Sequence, residues 1–295
     1  MFTSDAIDLM HGMRKDKRYF EVVDLDPYGT AIPFLESALS CISNDGLLCV
    51  TFTDMAVLCA RKPHVCFYKY GAAPLGKSYC HEQALRMVLY TINSMANKHG
   101  KQIQPLVSLT VDFYVRLFIR VHDSLSACQK SISKYSNIHQ CINCESFYLQ
   151  RLGIHTKETI SVKGGAETVS ARRREKKAGL KEGHNQAEVE KEEVKQTEFE
   201  KIVCAKNEVP QKCGTCGSPL MIGGPIWNDK IHDIDFVKKM HETASTDEAK
   251  KFGTIGRIKG ILGGIIDEEW LAHKPLSFDL NQICSNLKVC NPTKN

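Results

Sequence analysis

From Glu21 to His122 short apolar runs alternate with stretches of helical periodicity. This is the pattern of a parallel α/β sheet, whose strands are buried on both faces and whose crossovers are amphipathic helices. EVVDL (Glu21–Leu25) predicts a buried strand. IPFLESALSCI (Ile32–Ile42) carries apolar positions at helical spacing, and Asn44-Asp45-Gly46 then turns the chain into a second strand, LLCVTFT (Leu47–Thr53). Ser78 to Gly100 predicts a long amphipathic helix, with Ser78 as N-cap and His99 near the C-terminal end of the dipole. Two more strands, IQPLVSLTV and YVRLFIRV, follow.

Beyond Cys144 the pattern changes. ARRREKKAGLK (Ala171–Lys181) and the acidic EVEKEEVKQTEFEK (Glu188–Lys201) hold too few large apolar side chains to offset the entropy of ordering. Residues 157–201 therefore predict a disordered, exposed insertion with at most one solvated helix. FVKKMHETA (Phe236–Ala244), GRIKGILGGIIDEEW (Gly256–Trp270) and LSFDLNQICSNLKV (Leu276–Val289) predict helices of a smaller α+β domain. The expected division is residues 1–125 and 126–295, and no internal repeat is visible.

Composition narrows the class. At 295 residues, 42% hydrophobic and 25% charged, the chain is neither collagen-like nor wholly disordered. No apolar run approaches the ~18 residues of a bilayer span. A net charge of +5 permits a polyanionic partner without requiring one. The first residues, MFTSDAIDLMHGMRKDKR, hold no apolar signal core, so the thirteen cysteines are expected in a reducing, intracellular setting, as core thiols plus a metal cluster.

Three sets of residues could carry chemistry. Asp26-Pro27-Tyr28-Gly29 follows a strand and precedes a helix, where open α/β sheets bind ligands, although Asp-Pro-x-Gly is equally ordinary turn chemistry. An exocyclic amine on a nucleobase is a poor nucleophile, so methylating it needs acceptors that aim its lone pair at the donor. Asp26 and the Pro27 carbonyl could be those acceptors, with Tyr28 as a face for an unstacked base. Cys141-x-x-Cys144 and Cys213-x-x-Cys216 suit tetrahedral Zn²⁺ in a closed, structural site; four unligated thiols are the other reading. Cys41, Cys49 and Cys59 read as core residues. Arg116, Phe118 and Arg120 share a strand face and Arg172 to Lys177 form a basic run, either of which could meet nucleic-acid phosphates or simply be solvated. His81 and Glu82 read as packing and capping groups.

DLDPYGT, GLLCVTFTDMAVL, KYG, CHEQALR, DFYVRLFIRV, CINCESFYLQRLG, GGPIW and IHDIDFV, in this order, resemble the tRNA guanine-26 N2-dimethyltransferase family over most of the chain outside the 157–201 insertion. The resemblance implies a class I (Rossmann-like) methyltransferase sheet with a smaller zinc-containing C-terminal domain. S-adenosylmethionine is then the methyl donor, tRNA the partner, and nucleus and mitochondrion the locations. It places Asp26, Pro27 and Tyr28 at the guanine amine and Asp54 at the base or cofactor, where a helix N-cap is the other reading of Asp54. Asp5 and Ala6 fall beside the cofactor adenine. The family's glycine-rich loop is not found upstream of Asp26, and CARKPHVC (Cys59–Cys66) lacks the Gly-Asn and acidic residue usual there. The expectation is a form shortened at both ends that binds S-adenosylmethionine weakly or not at all. The competing expectation is a noncatalytic tRNA-binding or zinc-dependent interaction protein.

Overall fold

Strands β1 (Phe20–Leu25) and β2 (Ile42–Phe52) lie side by side and parallel, in register from Val22 opposite Leu47 to Leu25 opposite Val50. This arrangement comes from a computed structural model that describes residues 3–162, 195–269 and 274–276. Helix α1 (Ala6–Lys15) packs on α2 (Ile32–Cys41), the crossover between the two strands. Asn44-Asp45-Gly46 turns as expected, but inside β2 as a bulge. Phe20 pairs with Ile42 while Val22 already pairs with Leu47, and Asp45 takes φ +61. A Cβ on Gly46 would stand 2.7 Å from Ile42 Cγ1, so the bulge needs glycine there.

The sheet is mixed, where the sequence pattern suggested a parallel one. β3 (Lys101–Val111) and β4 (Tyr114–Asp123) are joined by Asp112 and Phe113 alone, and a two-residue link cannot make a parallel crossover. β4 inserts antiparallel between β2 and β3, giving the order β1-β2-β4-β3. Pro105, which has no N–H for a ladder, falls at a register shift on the edge strand β3.

Helix α5 (Cys80–Lys98) buries Leu85, Val88, Leu89, Ile92 and Ala96 against Leu48, Val50, Ile103, Leu117 and Ile119. Each of these leucine, valine and isoleucine side chains contributes roughly 1.5–3 kcal/mol. Tyr79, not Ser78, is its N-cap residue, without a side-chain bond; His99 is the C-cap and Gly100 leaves at φ +71. Because side chains alternate across a strand, Phe118 points to the other face of β4. There it joins Val107 and Leu109 beneath helices Ile234–Ala244 and Ile255–Asp267, through Val237 and Leu262.

A second, antiparallel sheet places β5 (Tyr135–Cys141) between β6 (Phe147–Arg151) and β9 (Leu220–Trp227). The boundary expected at residue 125 falls between the two sheets. Contacts nevertheless gather residues 1–153 with 204–295 into one compact unit, and 154–203 into another. In the latter, β7 (Gly153–Val162) pairs with β8 (Lys195–Cys204). The ends of the expected disordered insertion are therefore strands, because ladder bonds between β7 and β8 order the backbone even where no large core forms. Residues 163–194 and the expected helix over Leu276–Val289 lie outside the described residues, apart from Leu276. Among the described residues no helix is long and apolar enough to cross a membrane.

Buried polar groups on α5 tie the first sheet to the second. The Arg86 guanidinium, 2% exposed, donates from Nη1 to the Trp227 and Asp229 carbonyls (2.9 and 3.0 Å) and from Nε to Glu82 (2.7 Å). Asn93 accepts from the Ile103 N–H (3.2 Å) and donates to the Tyr135 hydroxyl (2.6 Å). Nearby, His232 Nδ1 accepts from the Ser108 N–H (3.3 Å). Burial, with the Arg86 charge, pushes His232 down to about 4 from the usual 6.5. The folded protein holds it neutral while the unfolded chain protonates it, so its contribution is complete above pH 6.5. It is lost as pH falls through 6.5, and the loss levels off near pH 4 at roughly 3 kcal/mol. Urea unfolding in pH steps should show that His232→Asn flattens the decline between pH 6.5 and 5, where few carboxylates titrate; an unchanged slope contradicts this assignment.

Candidate functional site

β1 ends in Asp26-Pro27-Tyr28-Gly29-Thr30, and β2 ends in Thr53-Asp54 at the same edge, because parallel strands deliver their C-terminal ends together. The two loops are pinned to each other. The Gly29 carbonyl accepts from the N–H groups of Thr53 (2.8 Å) and Asp54 (3.2 Å), and the Gly29 N–H donates to Thr53 Oγ1 (2.7 Å). Gly29 holds φ +80, which a side chain would resist. With the loop fixed in this way, the Asp26 carboxylate is exposed and the Tyr28 ring is fully exposed. An acceptor and a flat ring thus stand free at the mouth of two strands.

Asp54 sits at the N-cap position of α3 (Met55–Leu58), yet its carboxylate makes no capping bond. Instead Oδ1 accepts from the Tyr70 hydroxyl (2.6 Å) and Oδ2 from Lys69 Nζ (3.1 Å). The single Tyr70 proton is spent on Asp54, so Thr30 is the donor in the 2.9 Å contact between the Thr30 and Tyr70 hydroxyls. Burial, then Asp54, holds Tyr70 protonated far above the ordinary phenol range. The network returns to the Asp26–Thr30 loop through Thr30. Lys69 and Tyr70, at the end of α4 (Pro63–Tyr70), belong to it although sequence reasoning assigned them no role. No local spacing links position 54 to position 70.

The remaining candidates are placed differently. Asp5 is the N-cap of α1, its Oδ1 accepting from the N–H groups of Ile7 (2.8 Å) and Asp8 (3.1 Å), and Ala6 opens the helix. None of these bonds reaches the Gly29 loop. Arg116 spends its fork on both Asp24 oxygens (2.8 Å each) and on Thr51 Oγ1 (2.8 Å), lying 5.2 Å over the Phe118 ring. A guanidinium so engaged on its own sheet is a poor phosphate contact. The basic run at 172–177 lies outside the described residues. Glu82 accepts from Arg86 and from the Leu276 N–H (2.8 Å), which fits its expected packing role. A cavity of about 1080 Å³ lined by Arg86, Gln104, Trp227 and His232 includes none of residues 26–30.

The four paired cysteines do come together. Cys141 ends β5 opposite Leu220, which opens β9, and the Ile142 N–H donates to the Pro219 carbonyl (3.3 Å). That pairing carries the 213–216 turn to the β5–β6 hairpin. The turns repeat one geometry: Cys141 N–H to Ser146 O and Cys213 N–H to Ser218 O are both 2.8 Å, with Glu145 at φ +63 and Gly217 at φ +72. Cys141 and Cys216 sulfurs stand 3.5 Å apart and Cys144 and Cys213 sulfurs 3.4 Å. At Cys213 burial is outweighed by the N–H groups of Cys216 and Thr215, which pull the thiol down to about 5; bonds from Ser218 bring Cys216 down to about 7. All four sulfurs lie within 4.8 Å of one another, a donor set that fits a tetrahedral thiophilic ion.

Comparison with known proteins agrees with this architecture. Residues 1–295 match the family described as N2,N2-dimethylguanosine tRNA methyltransferase. The tRNA (guanine(26)-N(2))-dimethyltransferase of Drosophila melanogaster is 37% identical over 286 residues, covering 97% of this chain and 44% of that protein. The Mus musculus enzyme of that name is 36% identical over 289 residues, covering 98% and 38%. The chain thus spans less than half the length of these relatives. The solved structure of Trm1 from Pyrococcus horikoshii in complex with S-adenosyl-L-methionine superposes with a TM-score of 0.67 at 23% identity, over 98% of this chain and 58% of that one, which establishes a shared fold. The match along its whole length makes this chain a member of the N2,N2-dimethylguanosine tRNA methyltransferase family.

Proposed function

We propose that this chain supplies the base-recognition part of an S-adenosylmethionine-dependent methyltransferase that modifies the exocyclic N2 of guanine 26 in tRNA, giving N2-methyl and N2,N2-dimethylguanine. The observation that carries this reading is the Gly29 brace, which presents the exposed Asp26 carboxylate, the Pro27 carbonyl and the exposed Tyr28 ring on one fixed loop. Asp26 and the Pro27 carbonyl accept from the N2 hydrogens and turn the nitrogen lone pair toward the methyl donor. Pro27, with no N–H, cannot compete for the amine's lone pair. Tyr28 stacks on the flipped base. When bound, S-adenosylmethionine supplies an electrophilic methyl group; the N2 proton released on transfer passes to Asp26 or to water.

Asp54, both of whose oxygens are already paired, acts by holding the loop through Tyr70 and Thr30. Asp5 keeps Oδ2 clear of its helix cap and could accept from the adenosine portion of the donor. The same proposal makes residues 1–125 part of a class I methyltransferase domain and residues 126–295 a smaller zinc-bearing domain. In the latter, Cys141, Cys144, Cys213 and Cys216 close a structural Zn²⁺ site with no position left for water.

Asp26→Ala should lower methyl transfer to guanine-26 tRNA by about 10²–10⁴-fold with unchanged thermal unfolding. Full activity of this variant overturns the assignment. Tyr28→Ala, which removes a ring that touches nothing in the free protein, should raise the KM for tRNA by roughly 5–150-fold, the loss of about 1–3 kcal/mol of stacking; an unaltered KM rejects the stacking role. Metal analysis should find that Cys213→Ser loses one zinc ion per chain relative to the parent protein. Equal zinc in both means these cysteines do not bind it.

A further inference from the structure

Outside the paired turns, the fold brings together three metal-ligating groups that no sequence spacing announces. Cys59 is the C-cap residue of α3, and Cys80 and His81 open α5. The two sulfurs and a His81 ring nitrogen all lie within 4.8 Å of one another. We propose that Cys59, Cys80 and His81 form a second metal site, which takes Zn²⁺ on two thiolates and one imidazole nitrogen and leaves the fourth position to water.

The donor chemistry selects the ion. Two sulfurs and an imidazole suit a borderline-soft cation and offer nothing to Mg²⁺ or Ca²⁺, which take oxygen ligands. Ligands bound at about 2.3 Å in a tetrahedron stand about 3.7 Å from each other, and the three groups already lie within 4.8 Å of one another. On binding, the Cys59 and Cys80 thiol protons leave to solvent and neutral His81 gives its nitrogen lone pair. The two cysteines are half-buried and His81 is exposed, so the ion can enter from solvent and its open position can face water.

The surrounding backbone is held for such a site. Ala60, directly after Cys59, takes φ +74, and a Cβ on Gly76, itself at φ +63, would stand 3.0 Å from Ala60 Cβ. The segment leading into α5 therefore lies on the Cys59–Ala60 turn. α3 is a single helical turn with Asp54 at one end and Cys59 at the other. An ion joining Cys59 to α5 would brace the far end of the turn that carries Asp54. This inference does not depend on the methyl-transfer reading.

The test is zinc content of the full chain, kept under a phosphine reductant, incubated with Zn²⁺ and freed of excess by gel filtration. The parent protein should retain one zinc more than Cys59→Ala and one more than His81→Ala, while Cys213→Ser, lacking a different site, should retain the Cys59-dependent ion. Loading with Co²⁺ gives a second measure that does not rely on any variant with a disrupted fold: Cys59→Ala should lose one equivalent of thiolate-to-cobalt absorption and keep its circular dichroism. Equal metal content in the parent protein and in a folded Cys59→Ala overturns the proposal.

Discussion

A single carbonyl, that of Gly29, receives the N–H groups of both Thr53 and Asp54. Everything proposed for the site depends on that junction. Without it, Asp26 to Thr30 would be a surface turn free to sample many conformations, and ordering it on substrate would cost about 1–2 kcal/mol per residue. With it, the cost is met during folding, and an exposed carboxylate and ring are already in place. The left-handed backbone of Gly29 is what lets the chain turn back to make the contact.

The junction exists because β1 and β2 are parallel and in register, and the register survives because the rest of the fold holds those strands. α5 covers one sheet face, and the helices at Ile234–Ala244 and Ile255–Asp267 cover the other beside β3 and β4. Arg86 and Asn93 then fasten α5 to the second sheet through bonds that would be costly to leave unmade in a buried place. In that second sheet the β5–β9 pairing delivers one cysteine turn to the other. The paired cysteines follow from strand pairing in the way that the Gly29 loop does.

What could be read in the sequence was local. A strand followed by Asp-Pro-x-Gly announces its turn, and Cys-x-x-Cys announces a turn that presents two thiols together, because the geometry of each is set within a few residues. The pairings that escaped notice act across long separations. Lys69 and Tyr70 meet Asp54 only after α4 folds back, and Arg116 meets Asp24 only after β4 inserts beside β2. That insertion also defeated the expectation of a parallel sheet, since apolar runs report burial and not strand direction. Ser78 lost its capping role when α5 started one residue later than the periodicity suggested. Cys59 packs against the core as its apolar sequence neighbours suggested, but its nearness in space to Cys80 and His81 could not be read from the sequence.

The central claim concerns where one nitrogen lies. The structure of the protein bound to a tRNA with guanine at position 26 measures this directly. The account predicts the guanine N2 within about 3 Å of both an Asp26 carboxylate oxygen and the Pro27 carbonyl, with the Tyr28 ring stacked on the base. A complex in which guanine 26 stays in the RNA stack or enters the cavity beside Arg86, with Asp26 and Tyr28 still in solvent, contradicts it.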